Sequence, residues 1–128
     1  GGMEKVLYRE DWTLDELAGY NGASPKKPIL VSIKGNIYDV TKHKRMFGLH
    51  GQYNVAAGKD ASFMLGRQSM DTYDSNRPWD KLSKLEAQAL DEWELLARDR
   101  YSLVGKLKEL PTEEDGEEER PFNPERFE

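Results

Sequence analysis

Cysteine is absent from the 128 residues. That one absence excludes disulfides, thiolate nucleophiles, cysteine-ligated zinc and iron–sulfur clusters. Histidine is nearly absent as well, with only His43 and His50, and their spacing of seven is not the three or four of a helical metal pair. No apolar run approaches the ~20 residues of a membrane span. A Gly-x-Ser-x-Gly elbow, a phosphate-binding loop and a His-Glu-x-x-His helix are all missing, which argues against a conventional hydrolase, kinase or zinc enzyme. A basic stripe is missing too. The net charge of −5 is concentrated in residues 111–128, which carry −6 and leave the remainder near +1, so nucleic acid is not an expected partner.

What is present fits one domain. Gly1-Gly2 before Met3 reads as a cloning remnant and is set aside. Residues 3–110 read as the folded domain, and residues 111–128, acidic with Pro121 and Pro124, as a disordered tail. Within that tail, Phe122 and Phe127 offer a small aromatic anchor for a partner. After Met3 the chain enters Glu4-Lys5-Val6-Leu7-Tyr8 without the apolar stretch of a signal peptide. Location stays open between soluble cytoplasmic and attachment to the endoplasmic reticulum through partners.

Thr13-Leu14-Asp15-Glu16 is a capping box that starts a helix to about Tyr20, stapled by Trp12 and ended by Asn21-Gly22. Residues 29–34 and 37–41 are rich in β-branched residues and read as a hairpin turning at Gly35-Asn36. Asp60 is placed to cap a helix that fades near Gly66 or Met70. Ser83-Lys84-Leu85-Glu86 is a second capping box. It opens a helix to about Asp99 with Leu85, Ala89, Leu90, Trp93, Leu96 and Ala97 on one face. Residues 101–107 form a closing strand.

Between the hairpin and the helix at Asp60 lies KHKRMFGLHGQYNVAAGKDAS, residues 42–62, with three glycines, both histidines and little hydrophobic periodicity. Loops of this composition tend to hold something. Tyr53 is the strongest candidate, since a phenolate can be an axial ligand to ferric haem. Its free pKa of about 10 demands a Lewis acid or a helping donor. Residue chemistry alone leaves Tyr53 open between such a ligand and a packed tyrosine. His50, between Gly48 and Gly51, is the more interesting histidine.

The order of motifs resembles the membrane-associated progesterone receptor family, a branch of the cytochrome b5-like haem/steroid-binding fold. The resemblance rests on residues 12–22 and 27–41, on Phe47-Gly48-Leu49-His50-Gly51-Gln52-Tyr53 and on Ala57-Gly58-Lys59-Asp60-Ala61-Ser62. It continues at Asp91-Glu92-Trp93 and residues 101–107. It implies an α+β domain whose short helices form a haem cleft on a small sheet, and a non-enzymatic protein holding ferric haem b through Tyr53 as the iron ligand. It further implies partners among haem monooxygenases, a link to sterol metabolism, sterol as a second ligand and a haem-mediated homodimer. Family members often carry an N-terminal membrane anchor.

The family pattern Tyr-Gly-Pro-x-Gly-Pro-Tyr is altered here. Phe47 stands for the first tyrosine and cannot donate to the Tyr53 oxygen, while Leu49 and Gln52 replace the prolines, leaving the loop less preorganised. His50 is a candidate to compensate. Tyr101 is a candidate donor to the Tyr53 oxygen or a propionate, and Arg100 and Lys59 are candidate propionate partners. These departures keep two alternatives in play: a haem-independent module binding a protein or a sterol, and a b5-type electron carrier with His50 or His43 as second ligand.

Overall fold

A computed structural model describes residues 2–116. Strand β1 (Arg9–Trp12) leads into helix α1 (Leu14–Ala18), followed by strands β2 (Leu30–Ile33) and β3 (Asn36–Asp39). Helices α2 (Lys44–Phe47) and α3 (Ser62–Arg67), separated and followed by 3-10 turns, lead to the long helix α4 (Lys84–Arg100) and strand β4 (Ser102–Leu107). The sheet order is β1-β4-β3-β2; β1 runs parallel to β4, and the other neighbours are antiparallel. This is the expected α+β architecture.

Alternation along the strands gives the sheet two apolar faces. Val31, Ile33 and Tyr38 pack into the larger core with Phe47, Met64, Leu90 and Ala97. Leu30 and Ile37 point the other way, into a smaller core with Trp12, Leu17 and Leu107. The larger core carries the loop and helices around Tyr53.

Both capping boxes form. Thr13 accepts from the Glu16 amide and Ser83 from the Glu86 amide, and each glutamate reaches back to its cap. Helix α1 stops at Ala18 rather than Tyr20. Tyr20 is drawn off the helix to meet Trp12 edge-on at 5.4 Å, and its carbonyl takes the Leu30 amide.

The hairpin turns one residue earlier than expected, at Lys34-Gly35 instead of Gly35-Asn36. Ile33 pairs with Asn36, and φ is +53° at Lys34 and +79° at Gly35. Two positive φ values match the strand twist, which is why two-residue hairpins favour them. The left-handed Lys34 is held by its surroundings. Its amide donates to Ser62 Oγ at 2.6 Å, and its Nζ reaches Asp91 and Glu94 of α4 at 2.6 and 3.0 Å.

Asp60 is not the N-cap of α3, a place taken by Ala61 without a side-chain bond. Its side chain is fully buried, and Oδ2 accepts from Ser32 Oγ at 2.6 Å and from the Gly35 amide at 3.2 Å. Oδ1 accepts from the Ser62 amide at 3.1 Å. The Asp60 backbone pairs with Asn76 in both directions, and Ser32 bridges it in parallel. One carboxylate therefore ties β2, the hairpin turn and the start of α3 together.

Helix α4 buries Leu90 and Ala97 and half-buries Trp93 and Leu96, but Leu85 is 78% exposed. The buried stripe runs through positions 86, 90, 93 and 97, and Leu85 lies about 100° off it. Leu82, just before the cap, fills that place by packing toward Gly66 of α3. At the other end, the Thr112 amide donates to Asp115 and Arg77 donates to the Glu113 carbonyl. The second bond ties Glu113, within the stretch read as tail, to Arg77 of the domain. The rest of the acidic tail, with Phe122 and Phe127, lies outside the described residues, as does Gly1.

Removing the Asp60 carboxylate leaves three buried donors without partners, so Asp60→Ala is expected to lose about 3 kcal/mol in urea denaturation. Burial pushes the Asp60 carboxyl above the usual carboxylate range, against the donors that pull it down. The folded state then holds its proton more tightly than the unfolded state, whose carboxyl titrates near ~3.9. Wild type should therefore gain stability relative to Asp60→Asn as pH falls through the raised value toward the unfolded one. A gap constant with pH would contradict this.

Candidate functional site

The segment after β3 is built from turns that cap one another. Asp39 Oδ1 accepts the Thr41 amide, and Thr41 Oγ1 accepts the Ile29 amide at 2.9 Å, setting the direction in which α2 leaves the sheet. After α2 the chain reverses through Gly48–Gly51, and the Tyr53 amide donates to the Met46 carbonyl at 2.8 Å. A Cβ at Gly51 would lie 2.2 Å from that carbonyl oxygen, so the reversal needs glycine there. Asn54 then locks the loop. Its Nδ2 donates to the Phe47 carbonyl at 2.9 Å and to the Asn21 carbonyl at 3.1 Å.

This closure turns the Tyr53 ring toward α4. Trp93 meets it edge-on at 5.5 Å, and Phe47 lies tilted behind it at 6.0 Å. Tyr53 forms one wall of a cleft of about 300 Å³, with Met64, Leu65, Gln68, Ser69, Met70 and Trp93. Phe47 is buried and touches Tyr101 at 6.1 Å, and Tyr101 meets His43 at 5.0 Å. Five rings thus run in contact from Trp93 through Tyr53, Phe47 and Tyr101 to His43.

The candidate residues separate into two groups. Tyr53, Phe47 and Tyr101 come together, with Arg100 at the exposed end of α4 next to Tyr101. Burial raises the Tyr101 phenol above its ordinary range, and the neighbouring Arg100 only partly offsets this. Among the described hydrogen bonds none joins Tyr101 to Tyr53; Phe47 stands between them. His50 is exposed and faces a different cavity with Lys44 and Gly48. Lys59 lines a further depression with Asn54, Asn21 and Ala18, also apart from the Tyr53 cleft.

The sequence places Trp93 on a helix face and among the residues that carry the resemblance, without a role at the site, and offers His43 only as a remote second ligand. Trp93 was findable, because its place on the α4 stripe aims it at the same core as the loop. No sequence signal distinguishes His43, whose contact with Tyr101 depends on the 3-10 turn at Thr41–His43. Among the described residues, no group of three or more His, Cys, Asp or Glu could hold a metal ion, and no helix is long and apolar enough to cross a membrane.

The cytochrome b5-like haem/steroid binding domain matches residues 13–108, and the chain belongs to that family. It is 40% identical over 105 residues to membrane steroid-binding protein 2 of Oryza sativa subsp. japonica, covering 82% of this chain and 40% of that protein. It is 33% identical over 114 residues to human membrane-associated progesterone receptor component 2, covering 87% of this chain and 50% of that protein. The chain thus spans half or less of the length of these two relatives. A solved structure of a hypothetical protein of Arabidopsis thaliana, described as having a cytochrome b5 like fold, superposes with a TM-score of 0.71 at 35% identity. That match covers 85% of this chain and 98% of the other. The relatives' names place the chain in the membrane-associated progesterone receptor branch and describe binding proteins and receptor components rather than enzymes.

Asn54→Ala removes the bond that ties the Tyr53 loop to the Asn21 carbonyl and the bond that closes the loop on the Phe47 carbonyl. It is expected to cost about 1–2 kcal/mol in urea denaturation and to change the fluorescence of Trp93, the ring against Tyr53. An unchanged midpoint and unchanged emission would mean that the clamp does not hold the loop.

Proposed function

We infer that this chain is a non-enzymatic haem-binding domain in which the Tyr53 phenolate is the one protein ligand to ferric iron. The observation that carries this reading is the setting of the Tyr53 hydroxyl. It takes no hydrogen bond from a described residue, and Tyr53 lines a cleft together with the apolar Met64, Leu65, Met70 and Trp93 and the polar Gln68 and Ser69. An anionic oxygen favours the ferric state and a low potential, which suits haem carriage or regulation better than rapid electron transfer. The cleft's volume is at the low end of the ~300–1,000 Å³ usual for ligand pockets, in keeping with a planar group held on one face and open on the other.

Each residue has a definable task in this reading. Tyr53 binds the iron, Trp93 and Met64 exclude water from one side, and Phe47 fixes the Tyr53 ring. Arg100 is the cation best placed to meet a propionate, since Lys59 faces a separate depression. Phe47 contributes no proton, so the phenolate depends on the iron alone for stabilisation, and affinity should fall below that of a relative with tyrosine there. An open haem face would be the contact for a second copy or for a haem monooxygenase, with sterol metabolism as the setting.

The steroid-binding names of the relatives favour a second reading, a haem-independent sterol site in the same cleft. Electron carriage of the b5 type is disfavoured, since it needs a second axial ligand, while His50 faces a different cavity and His43 packs on Tyr101 and does not line the Tyr53 cleft.

Titration of the purified chain with hemin tests the reading. A high-spin ferric tyrosinate spectrum is expected, abolished by Tyr53→Phe and unchanged by His50→Ala. Phe47→Tyr is expected to tighten binding by ~10-fold through its added donor. Saturable binding insensitive to Tyr53→Phe would reject the ligand, and no saturable binding would leave the sterol reading.

A further inference from the structure

A second cavity lies apart from the Tyr53 cleft. It encloses about 550 Å³ between the 22–29 segment and the 44–51 segment. Asn54, which donates to one carbonyl on each side, fastens the two walls together. Gly22, at φ +87°, faces Gly48 and the Phe47 carbonyl, which a Cβ at this position would meet at 3.6 Å. The cavity is therefore a product of the fold's own closure and not a gap between loose loops.

Its lining divides into two chemistries. Ile29, Pro25, Met3 and the 56% exposed Leu49 make an apolar floor and lip. Lys27, Lys44 and Arg45 supply cations, His50 adds an imidazole, and no carboxylate lines the cavity. Among the described residues, none of the ion pairs engages these three cations. Lys27 is held with its ammonium 5.0 Å from the Tyr20 ring centre, and Glu4, which adjoins Met3, spends its carboxylate on the Tyr20 hydroxyl. In a chain of net charge −5, three cations outside the described ion pairs, set around an apolar basin, form a local positive potential that steers anions.

We propose that this cavity is a second ligand site, separate from Tyr53, that takes a single anionic amphiphile: an aliphatic or fused-ring apolar body carrying one carboxylate, sulfate or phosphate. The apolar floor would gain little from a small hydrophilic anion, and the cations would gain little from a neutral sterol. An amphiphile of this kind satisfies both, its body displacing water from Met3, Pro25 and Leu49 and its head accepting charge-assisted hydrogen bonds from Lys44 and Arg45. The volume is within the range of pockets that bury a molecule of this size. The site does not depend on the Tyr53 reading, because its lining residues do not include Tyr53, Trp93 or Met64.

The test is a nitrogen-15 correlation titration of the full chain with sodium decanoate below its micelle concentration, with decan-1-ol as the uncharged probe. Saturable shifts are expected in residues 22–29 and 44–51, undiminished in Tyr53→Phe. Decan-1-ol and the doubly reversed Lys44→Glu/Arg45→Glu chain should each bind ~10-fold more weakly. Both side chains are exposed, so the double variant is expected to fold, as its spectral dispersion will show. The proposal is overturned by the absence of saturable decanoate shifts, by shifts centred on Met64 and Trp93, or by equal affinity for decan-1-ol. Sedimentation with phosphatidylglycerol vesicles in the absence of any decanoate response would also overturn it, and would make the basic rim a membrane-facing surface.

Discussion

The buried carboxylate of Asp60 is the constraint on which the placement of everything else turns. A loop of some twenty residues leaves the sheet after Asp39 and must come back to a defined point. It returns at Asp60, where Ser32, Gly35 and Ser62 all donate to one side chain and Asn76 pairs the backbone. Without that anchor the loop would be free to place Tyr53 at many angles. Burying a carboxylate costs desolvation energy, and the raised Asp60 titration is its signature. The cost is offset by fixing three elements at one point, since a charge with satisfied hydrogen bonds tolerates little movement of its partners.

From that anchor the site follows by closure. Gly51 lets the chain reverse against the Met46 carbonyl, Asn54 bolts the reversal to the 21–22 segment, and Trp93 on α4 stops the Tyr53 ring. The same closure leaves a cavity on either side of the loop. One is lined by Tyr53, Met64 and Trp93, and the other gathers Lys44, Arg45 and His50. Tyr53 and His50, three residues apart in sequence, thus end in different chemical environments.

The elements with local causes were legible in the residues. Both capping boxes, the hairpin and helix α4 depend on neighbours a few positions away, and each formed where those neighbours predicted. The hairpin turn slipped by one residue because its register depends on remote support: Ser62 and α4 hold Lys34 in a left-handed conformation that a lysine would not choose alone. Asp60 has the composition and spacing of a helix cap, and only the return of the loop to Ser32 makes it a buried tie. Leu85 matched the apolar face by type, yet Leu82 occupies its place. At the site, the proximity of Tyr53, Phe47 and Tyr101 followed from the motifs, but the exclusion of His50 and Lys59 did not. Which side of a loop a side chain faces is set by closure contacts such as Asn54, and a linear spacing does not encode them.

The central claim is that loop closure assigns haem to the Tyr53 side and leaves the basic cavity to other chemistry. Paramagnetic line broadening by bound ferric haem, mapped over the backbone amides, tests it most directly. The account predicts that Tyr53, Met64, Met70 and Trp93 lose intensity while Ala23, Ser24 and Lys27 keep theirs. Broadening centred on residues 22–29, with Met64 and Trp93 untouched, would contradict it.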